Sequence, residues 1–446
     1  MNDEALDACV RRLRSEMIDF TSELVGVASE NPPGSKYREC VRIITARLRA
    51  LGLPCEVVNY RPRSGVPDDS GAAVVLSRVG TGKRTLYFSG HYDVVPVTTQ
   101  GQCMPILRGK TLFGRGSADM KSGLASMLYA AVALHRLRVP LDGRVGLVFV
   151  PDEETGGRRG SGFLAAAKRL GTHGIGMLTP EPTSGVVWNA NRGAITLRVT
   201  VHGREAHVGL LHQGRNAFED AVGVVTNLQR LARRVGRRRT RFRVTPEAAR
   251  RSLMLIGGRV EAGSNFNVVP GRCVFTVDRR MNPEEDYEAE REALLAVFDR
   301  ARRNGVKLDV EAFQEGHPSG TPGTTPLGRA LSRHIRAVTG KAPKFEMCPG
   351  LLEIRFYAEQ GMPAYAYGPG LLSISHGPKE FVDTNRIVDC AAIYARVAST
   401  VLTPGPHLRR ADDVHVTANR RFKIARRNNA ADVAGNVRGE CAIGYR

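Results

Sequence analysis

The chain has 446 residues, 42% of them hydrophobic, which suffices for one large core and a satellite. No run of about eighteen apolar residues occurs, so no membrane-spanning helix is expected, and the 8 cysteines are scattered without paired metal spacing and read as reduced thiols. The formal net charge of +21 could attract anionic substrates or surfaces, yet no nucleic-acid-binding motif accompanies it, and no specific nucleic-acid partner is expected.

The N-terminal stretch MNDEALDACVRRLRSEMIDF is charged and amphipathic rather than signal-like, and a cytoplasmic enzyme is expected. Thr85 to Ser89 reads as a buried strand that runs into GHYDVVP, Gly90 to Pro96. His91 and Asp93 are two apart, a spacing that shares one face of a strand, and a carboxylate beside a histidine fixes which ring nitrogen is free to bind metal. Next comes GRGSADMKSG, Gly114 to Gly123, a glycine-rich loop carrying Asp119, and then Leu124 to Leu137 with helical spacing. Arg144 to Val150 is strand-like and leads into Pro151-Asp152-Glu153-Glu154-Thr155-Gly156-Gly157. Adjacent glutamates after a strand diverge, so one can bind metal while the other works as base. Ile175 to Leu178 stops at Thr179-Pro180-Glu181-Pro182, a third strand delivering a carboxylate at its C-terminal end, where open α/β sheets place their functional crevice.

From Arg192 to Gly203 the residues alternate as an antiparallel strand, and Asn216 to Leu231 is helix-like. Leu253 to Val260, Asn265 to Asp278, the acidic helix Pro283 to Asn304 and Val306 to Phe313 follow, a small α/β sandwich that interrupts the larger unit. Pro318 to Pro326 reads as the return linker. SHGPKEFV, Ser375 to Val382, then places His376 after the Gly368-Pro369-Gly370 turn. Basic clusters at Arg233 to Arg243 and Arg409 to Arg427 read as solvated faces and a tail. The expected division is 1–190 with 318–403 as a catalytic metal-binding domain, 191–317 as a second domain, and 404–446 as a basic tail.

His91, Asp119, Glu154, Glu181 and His376 make a mixed nitrogen and oxygen set, suited to zinc with cobalt or manganese as alternatives rather than to calcium. Five ligands exceed one tetrahedral ion, whereas two ions about 3.5–4 Å apart, bridged by one carboxylate, would use them all.

Five motifs, GHYDVVP, GRGSADMKSG, PDEETGG, PEPTS and SHGPKEFV, stand in the order found in the co-catalytic metal aminoacylases and exopeptidases, and between Ile18 and Val401 the chain resembles that family. It includes acetylornithine deacetylase, succinyl-diaminopimelate desuccinylase and glutamate carboxypeptidase. The resemblance implies an α/β fold: a zinc-exopeptidase-like catalytic domain with a mixed, mostly parallel sheet, interrupted by a lid and dimerisation domain. Asp119 would bridge two divalent ions, His91 and Glu181 completing one site and Glu154 and His376 the other. Glu153 would be the general base, Asp93 the partner of His91, and the Asp119–Met120 peptide bond would be cis. His207, in HGREAHVG, would donate to the oxyanion, often in a neighbouring subunit's site. Asn267, Arg280, Gly350 and Arg355 correspond to substrate contacts, with Glu353 beside the last two. Leu352-Glu353 stands where a Thr-Asp pair is more usual, a departure that resembles the deacylase branch. The implied reaction is hydrolysis of the amide bond of an N-acyl amino acid, with a dipeptidase or carboxypeptidase as the alternative and homodimerisation through the lid. A reading of another class, an inactive relative acting as a basic binding protein, sits poorly with an intact ligand set.

Overall fold

The structure, a computed structural model, describes residues 3–61, 70–171 and 173–403. The expected tail, with its Arg409–Arg427 cluster and Cys441, lies outside them.

Helices α1 (Asp3–Arg12), α2 (Arg14–Val25) and α3 (Tyr37–Ala50) precede strands β1 (Cys55–Asn59), β2 (Ala73–Gly80) and β3 (Thr85–His91). A hairpin of β4 (Ile106–Arg108) and β5 (Thr111–Phe113) leads to α4 (Ser122–Arg136), then β6 (Arg144–Val150), α5 (Ser161–Ala166), β7 (Gly174–Thr179) and β8 (Val187–Asn191). Next come β9 (Gly193–His202), α6 (Ala217–Val235), β10 (Leu253–Ala262), β11 (Arg272–Met281), α7 (Tyr287–Arg303) and β12 (Lys307–Gly316). The chain continues through β13 (Ser319–Gly320), α8 (Pro326–Thr339), β14 (Phe345–Cys348), α9 (Ile354–Ala358), β15 (Ala364–Ala366), β16 (Phe381–Asp383) and α10 (Thr384–Leu402).

A large mixed sheet runs in the order β1-β2-β6-β3-β7-β15-β8-β13, with β14 also on β8. Its centre, β6-β3-β7-β15, is parallel, and antiparallel pairs flank that block on both sides. Both faces of the block are covered, which explains why all of β3 is buried and why Leu86-Tyr87-Phe88 at its centre do not alternate with polar residues. On one face α4, buried along almost its whole length, packs against α10 and α2. The opposite face carries a smaller core of Tyr87, Val148, Val150, Met177 and Tyr357.

A second sheet, β10-β11-β9-β12, is antiparallel and supports α6 and α7 around a core of its own. Helix α6 begins where the Asn216 side chain accepts the N–H groups of Phe218 and Glu219, and it buries Ala217, Ala221, Val224, Leu228, Leu231 and Val235 at helical spacing. Two expectations change here. The strand expected over Asn265 to Asp278 begins only at Arg272, because Gly263 turns at φ 71°, Asn265 accepts the N–H of Phe266, and Pro270 has no N–H for a ladder. The return linker is also more than a linker: β13 within it pairs antiparallel with β8, and Thr325 caps α8 with Pro326 in the first turn.

The Arg233–Arg243 cluster is only partly a solvated face. Arg238 bonds both Glu285 and Glu290, and Arg243 meets Glu346 at 3.2 Å. The seven cysteines of the described residues are all free thiols, and among those residues no helix is long and apolar enough to cross a membrane.

Candidate metal centre

Because β6, β3, β7 and β15 run parallel and side by side, their C-terminal ends open onto one edge. His91 is the last residue of β3. Glu153 and Glu154 occupy a 3-10 turn just after β6, Glu181 follows β7, and His376 lies beyond β15 with φ 65°. Asp119 arrives from the glycine-rich loop before α4, and its bond to Met120 is cis, as the resemblance implies.

These residues meet. His91, Asp119 and Glu181 offer ligand atoms within 4.8 Å of one another, and so do Asp119, Glu154 and His376. Asp119 belongs to both groups: Oδ1 lies 3.3 Å from His91 Nε2, and Oδ2 lies 3.2 Å from His376 Nε2. His376 Nε2 is also 3.3 Å from Glu154 Oε2. Glu153 belongs to neither group, so the two neighbouring glutamates do diverge.

Behind this layer sits Asp93, fully buried. His91 Nδ1 lies 3.0 Å from the Asp93 carbonyl and 3.5 Å from its carboxylate Oδ1, so Nδ1 carries the proton and Nε2 offers its lone pair to the cleft. The carboxylate oxygens accept the backbone N–H groups of Glu153 and Glu154, each at 3.2 Å, and Asn31 Nδ2 donates to Oδ2 at 2.9 Å. One residue thus positions a histidine through its carbonyl and both glutamates through its carboxylate.

The cluster holds more carboxylate than two imidazoles can neutralise. Burial raises the proton affinity of Glu153 well above the ordinary carboxylate range, and the charge of Glu181 adds to it. Burial pushes Glu181 up to about 8 and Glu353, behind the turn, up to about 7. For Asp119, burial is outweighed by the neighbouring imidazoles of His376 and His91, which hold its carboxyl below the usual range; beside the carboxylates of Asp119 and Glu154, His376 is raised to about 10. His91 Nε2, Glu154 Oε1 and Glu181 Oε1 are buried with no hydrogen-bond partner among the described residues. Buried polar atoms need partners, and orphaned nitrogen and carboxylate oxygens converging on a negatively charged pocket fit two cations that share Asp119.

Other expected site residues fall elsewhere. His207 is exposed, its Nδ1 accepting the N–H of Gly209 at 3.1 Å, and Asn267 is beside it, its carbonyl accepting the Val208 N–H at 2.9 Å. Arg280, on β11, contacts Asp278 at 2.8 Å and Gln314 at 3.1 Å. The Gly350 carbonyl accepts the N–H of Arg192. Arg355 is buried, its guanidinium committed to the carbonyls of Leu352 at 2.6 Å and Gly156 at 2.5 Å, so it braces the Glu153–Gly156 turn.

Sequence reasoning missed Asn31, Lys121, Arg115 and Glu380. Lys121 is fully buried and its Nζ donates to the Leu24 and Val27 carbonyls, both at 2.8 Å. Glu380 stood inside SHGPKEFV, four residues after His376, and Arg115 and Lys121 inside GRGSADMKSG; a charged residue within a glycine-rich metal-site motif was the available signal.

A model of the peptidase family M20/M25/M40 matches residues 87–400. A succinyl-diaminopimelate desuccinylase of Janthinobacterium sp. (strain Marseille) is 26% identical over 399 residues, covering 87% of this chain and 100% of the relative. An acetylornithine deacetylase of Myxococcus xanthus is 27% identical over 360 residues, covering 79% of this chain and 90% of the relative. Among solved structures, the Bacillus subtilis YXEP protein, a dinuclear metal binding peptidase from the M20 family, superposes with a TM-score of 0.62 at 17% identity, covering 88% of this chain and 98% of that one. With the family model spanning residues 87–400, about seven tenths of the sequence and all five residues of the two clusters, the chain belongs to the peptidase family M20/M25/M40 and is a hydrolase of amide bonds.

Proposed function

We propose that the chain is a two-cation amidohydrolase that removes the acyl group, of acetyl or succinyl type, from an N-acyl amino acid. The observation that carries it is Asp119, which turns one carboxylate oxygen to His91 and the other to His376. His91 and Glu181 would hold one cation, Glu154 and His376 the other, and Asp119 both; zinc suits this set, with cobalt or manganese as alternatives. Bound there, the cations would polarise the scissile carbonyl and acidify the attacking water.

The protein's own groups supply the proton traffic. The Glu153 carboxylate takes a proton from the attacking water and returns it to the amine nitrogen as the C–N bond breaks. Its environment of burial and neighbouring negative charge favours holding that proton between the two events. Asp93 keeps base and ligand in register through the amides of Glu153 and Glu154. In the same proposal residues 191–317 are a lid over a catalytic body of 1–190 and 318–403: His207 donates to the developing oxyanion, and Asn267 and Arg280, with Gly350 from the body, face the substrate. Two copies would pair through the lid, where α6 exposes Phe218 and Val222 and the edge strand β10 exposes Leu253, Leu255 and Val260. Free thiols accord with the cytoplasm.

The desuccinylase and deacetylase relatives favour an acylated substrate, and the alternative reading is a dipeptide or a C-terminal residue of a peptide. Hydrolysis of acetyl, succinyl and free-amine dipeptide substrates, with zinc content, decides between them. An acylated substrate is expected to be cleaved faster than its free-amine counterpart. In Glu153→Ala, kcat is expected to fall by about 10²–10⁴ with cation content retained; a variant with full activity would show that Glu153 is not the base.

A further inference from the structure

The loop that carries Asp119 and the segment that carries His376 are joined by a buried ion pair. Glu380 Oε1 accepts three backbone N–H groups of the Asp119 loop, from Gly116 at 3.0 Å, Ala118 at 3.0 Å and Asp119 itself at 3.1 Å. Its Oε2 meets Arg115 Nη1 at 2.6 Å, and both side chains are 1% exposed. The other arm of the guanidinium, Nη2, donates to the His376 carbonyl at 3.1 Å. The backbones are tied too: the Gly114 N–H donates to the Glu380 carbonyl, and β16 pairs with β5 immediately outside the clamp. Two charges removed from water are tolerated because both carboxylate oxygens and both terminal guanidinium nitrogens are used, Arg115 Nε alone of the pair lacking a partner among the described residues, and the two arms of a planar fork reach the carboxylate and the carbonyl from separate positions.

The consequence concerns His376. Its side chain is 50% exposed and its backbone sits at φ 65°, so neither packing nor regular secondary structure fixes its imidazole. Arg115 holds its carbonyl, and the same pair holds the amide of Asp119. We propose that Arg115 and Glu380 are positioning residues that set the separation between the Asp119 carboxylate and the His376 imidazole, and thereby the affinity of the Glu154–His376 cation position. This rests on Asp119 and His376 being metal ligands as proposed above.

The experiment is cation binding rather than turnover alone. Wild type, Arg115→Lys and Glu380→Gln are stripped with chelator and titrated with zinc against a competing chelator and with cobalt followed by its visible spectrum, alongside Tm and kcat and KM. Arg115→Lys keeps the charge but replaces two separated arms by one nitrogen; one of the two cation-binding steps is expected to lose roughly 10-fold or more in affinity, with the other little changed and kcat falling more than KM rises. Glu380→Gln sets an amide N–H against the guanidinium and is expected to weaken both cations, because Asp119 is shared. Leu331→Ala, a core substitution in α8, supplies a destabilised control whose cation affinity should match wild type. Wild-type cation affinities and kcat in Arg115→Lys overturn the proposal even if Glu380→Gln fails to fold, and losses matched by Leu331→Ala at equal Tm overturn it as well. A wild-type chain that binds no cation overturns the clamp together with the metal-centre proposal beneath it, whereas two cations bound tightly by all variants overturn the clamp alone.

Discussion

At the edge of the large sheet the proposed ligands His91, Asp119, Glu154 and His376 are held from behind, whereas on the small sheet His207 and its neighbours stand in an exposed loop. His91 has the Asp93 carbonyl, the Glu153 and Glu154 amides have the Asp93 carboxylate, and Asp119 has Glu380. His207 has only the N–H of Gly209, two residues away, and the Phe266 ring between Asn265 and Asn267 is 96% exposed. A buried, cross-braced cluster is preorganised for charge; an exposed loop on a separate sheet gains its role only when substrate or a second chain covers it. The two regions should therefore respond to substitution in different observables.

The largest effect expected outside the proposed base is on the proposed lid. His207→Ala should lower kcat by about 10²–10³, the scale for losing one oxyanion donor, with zinc affinity unchanged. Loss of zinc from that variant would erase the contrast between the regions. Asn31→Ala is the matching test on the large sheet: it removes a donor to Asp93 and should cost roughly 10–100-fold in cation affinity or activity, read by chelator competition. Equal zinc affinity and equal kcat there would mean that Asp93 needs no support from Asn31. The smallest effect belongs to neither region. His334, in α8, is buried against Thr400, and burial with the adjacent Arg333 charge lowers its pKa to about 4. The unfolded chain takes up that proton near pH 6.5 and the folded one only near pH 4. The stability His334 contributes is thus present above about pH 6.5 and is lost as pH falls toward about 4. Tm of wild type should drop more between pH 7 and pH 4.5 than that of His334→Gln.

The clustering of the proposed ligands was legible because each member follows a local signal: an apolar run that ends in a histidine or carboxylate, or a glycine turn. Parallel strands then deliver those ends to one edge, so the order of motifs along the chain was enough to anticipate their meeting. Partners chosen across the fold left no such trace. Arg115 and Glu380 are 265 residues apart, Arg238 and Glu290 are 52 apart, and neither segment alone says which opposite charge it will meet. The same blindness made Arg238 look like part of a solvated face and Arg355 like a substrate contact, although its guanidinium is spent on the Gly156 and Leu352 carbonyls. The late start of β11 had a local cause, the Pro270-Gly271 step, that the apolar pattern outweighed.

Lys121 gives the N-terminal helices a stake in the cleft. Its ammonium is fully enclosed and finds its acceptors on the carbonyls of Leu24 and Val27, at and just beyond the end of α2, while its backbone stands two residues from Asp119. Trimming the chain past Val27 would take both acceptors from that ammonium, and the damage would surface not at the cut but at the opposite end of the lysine, in the turn that presents Asp119.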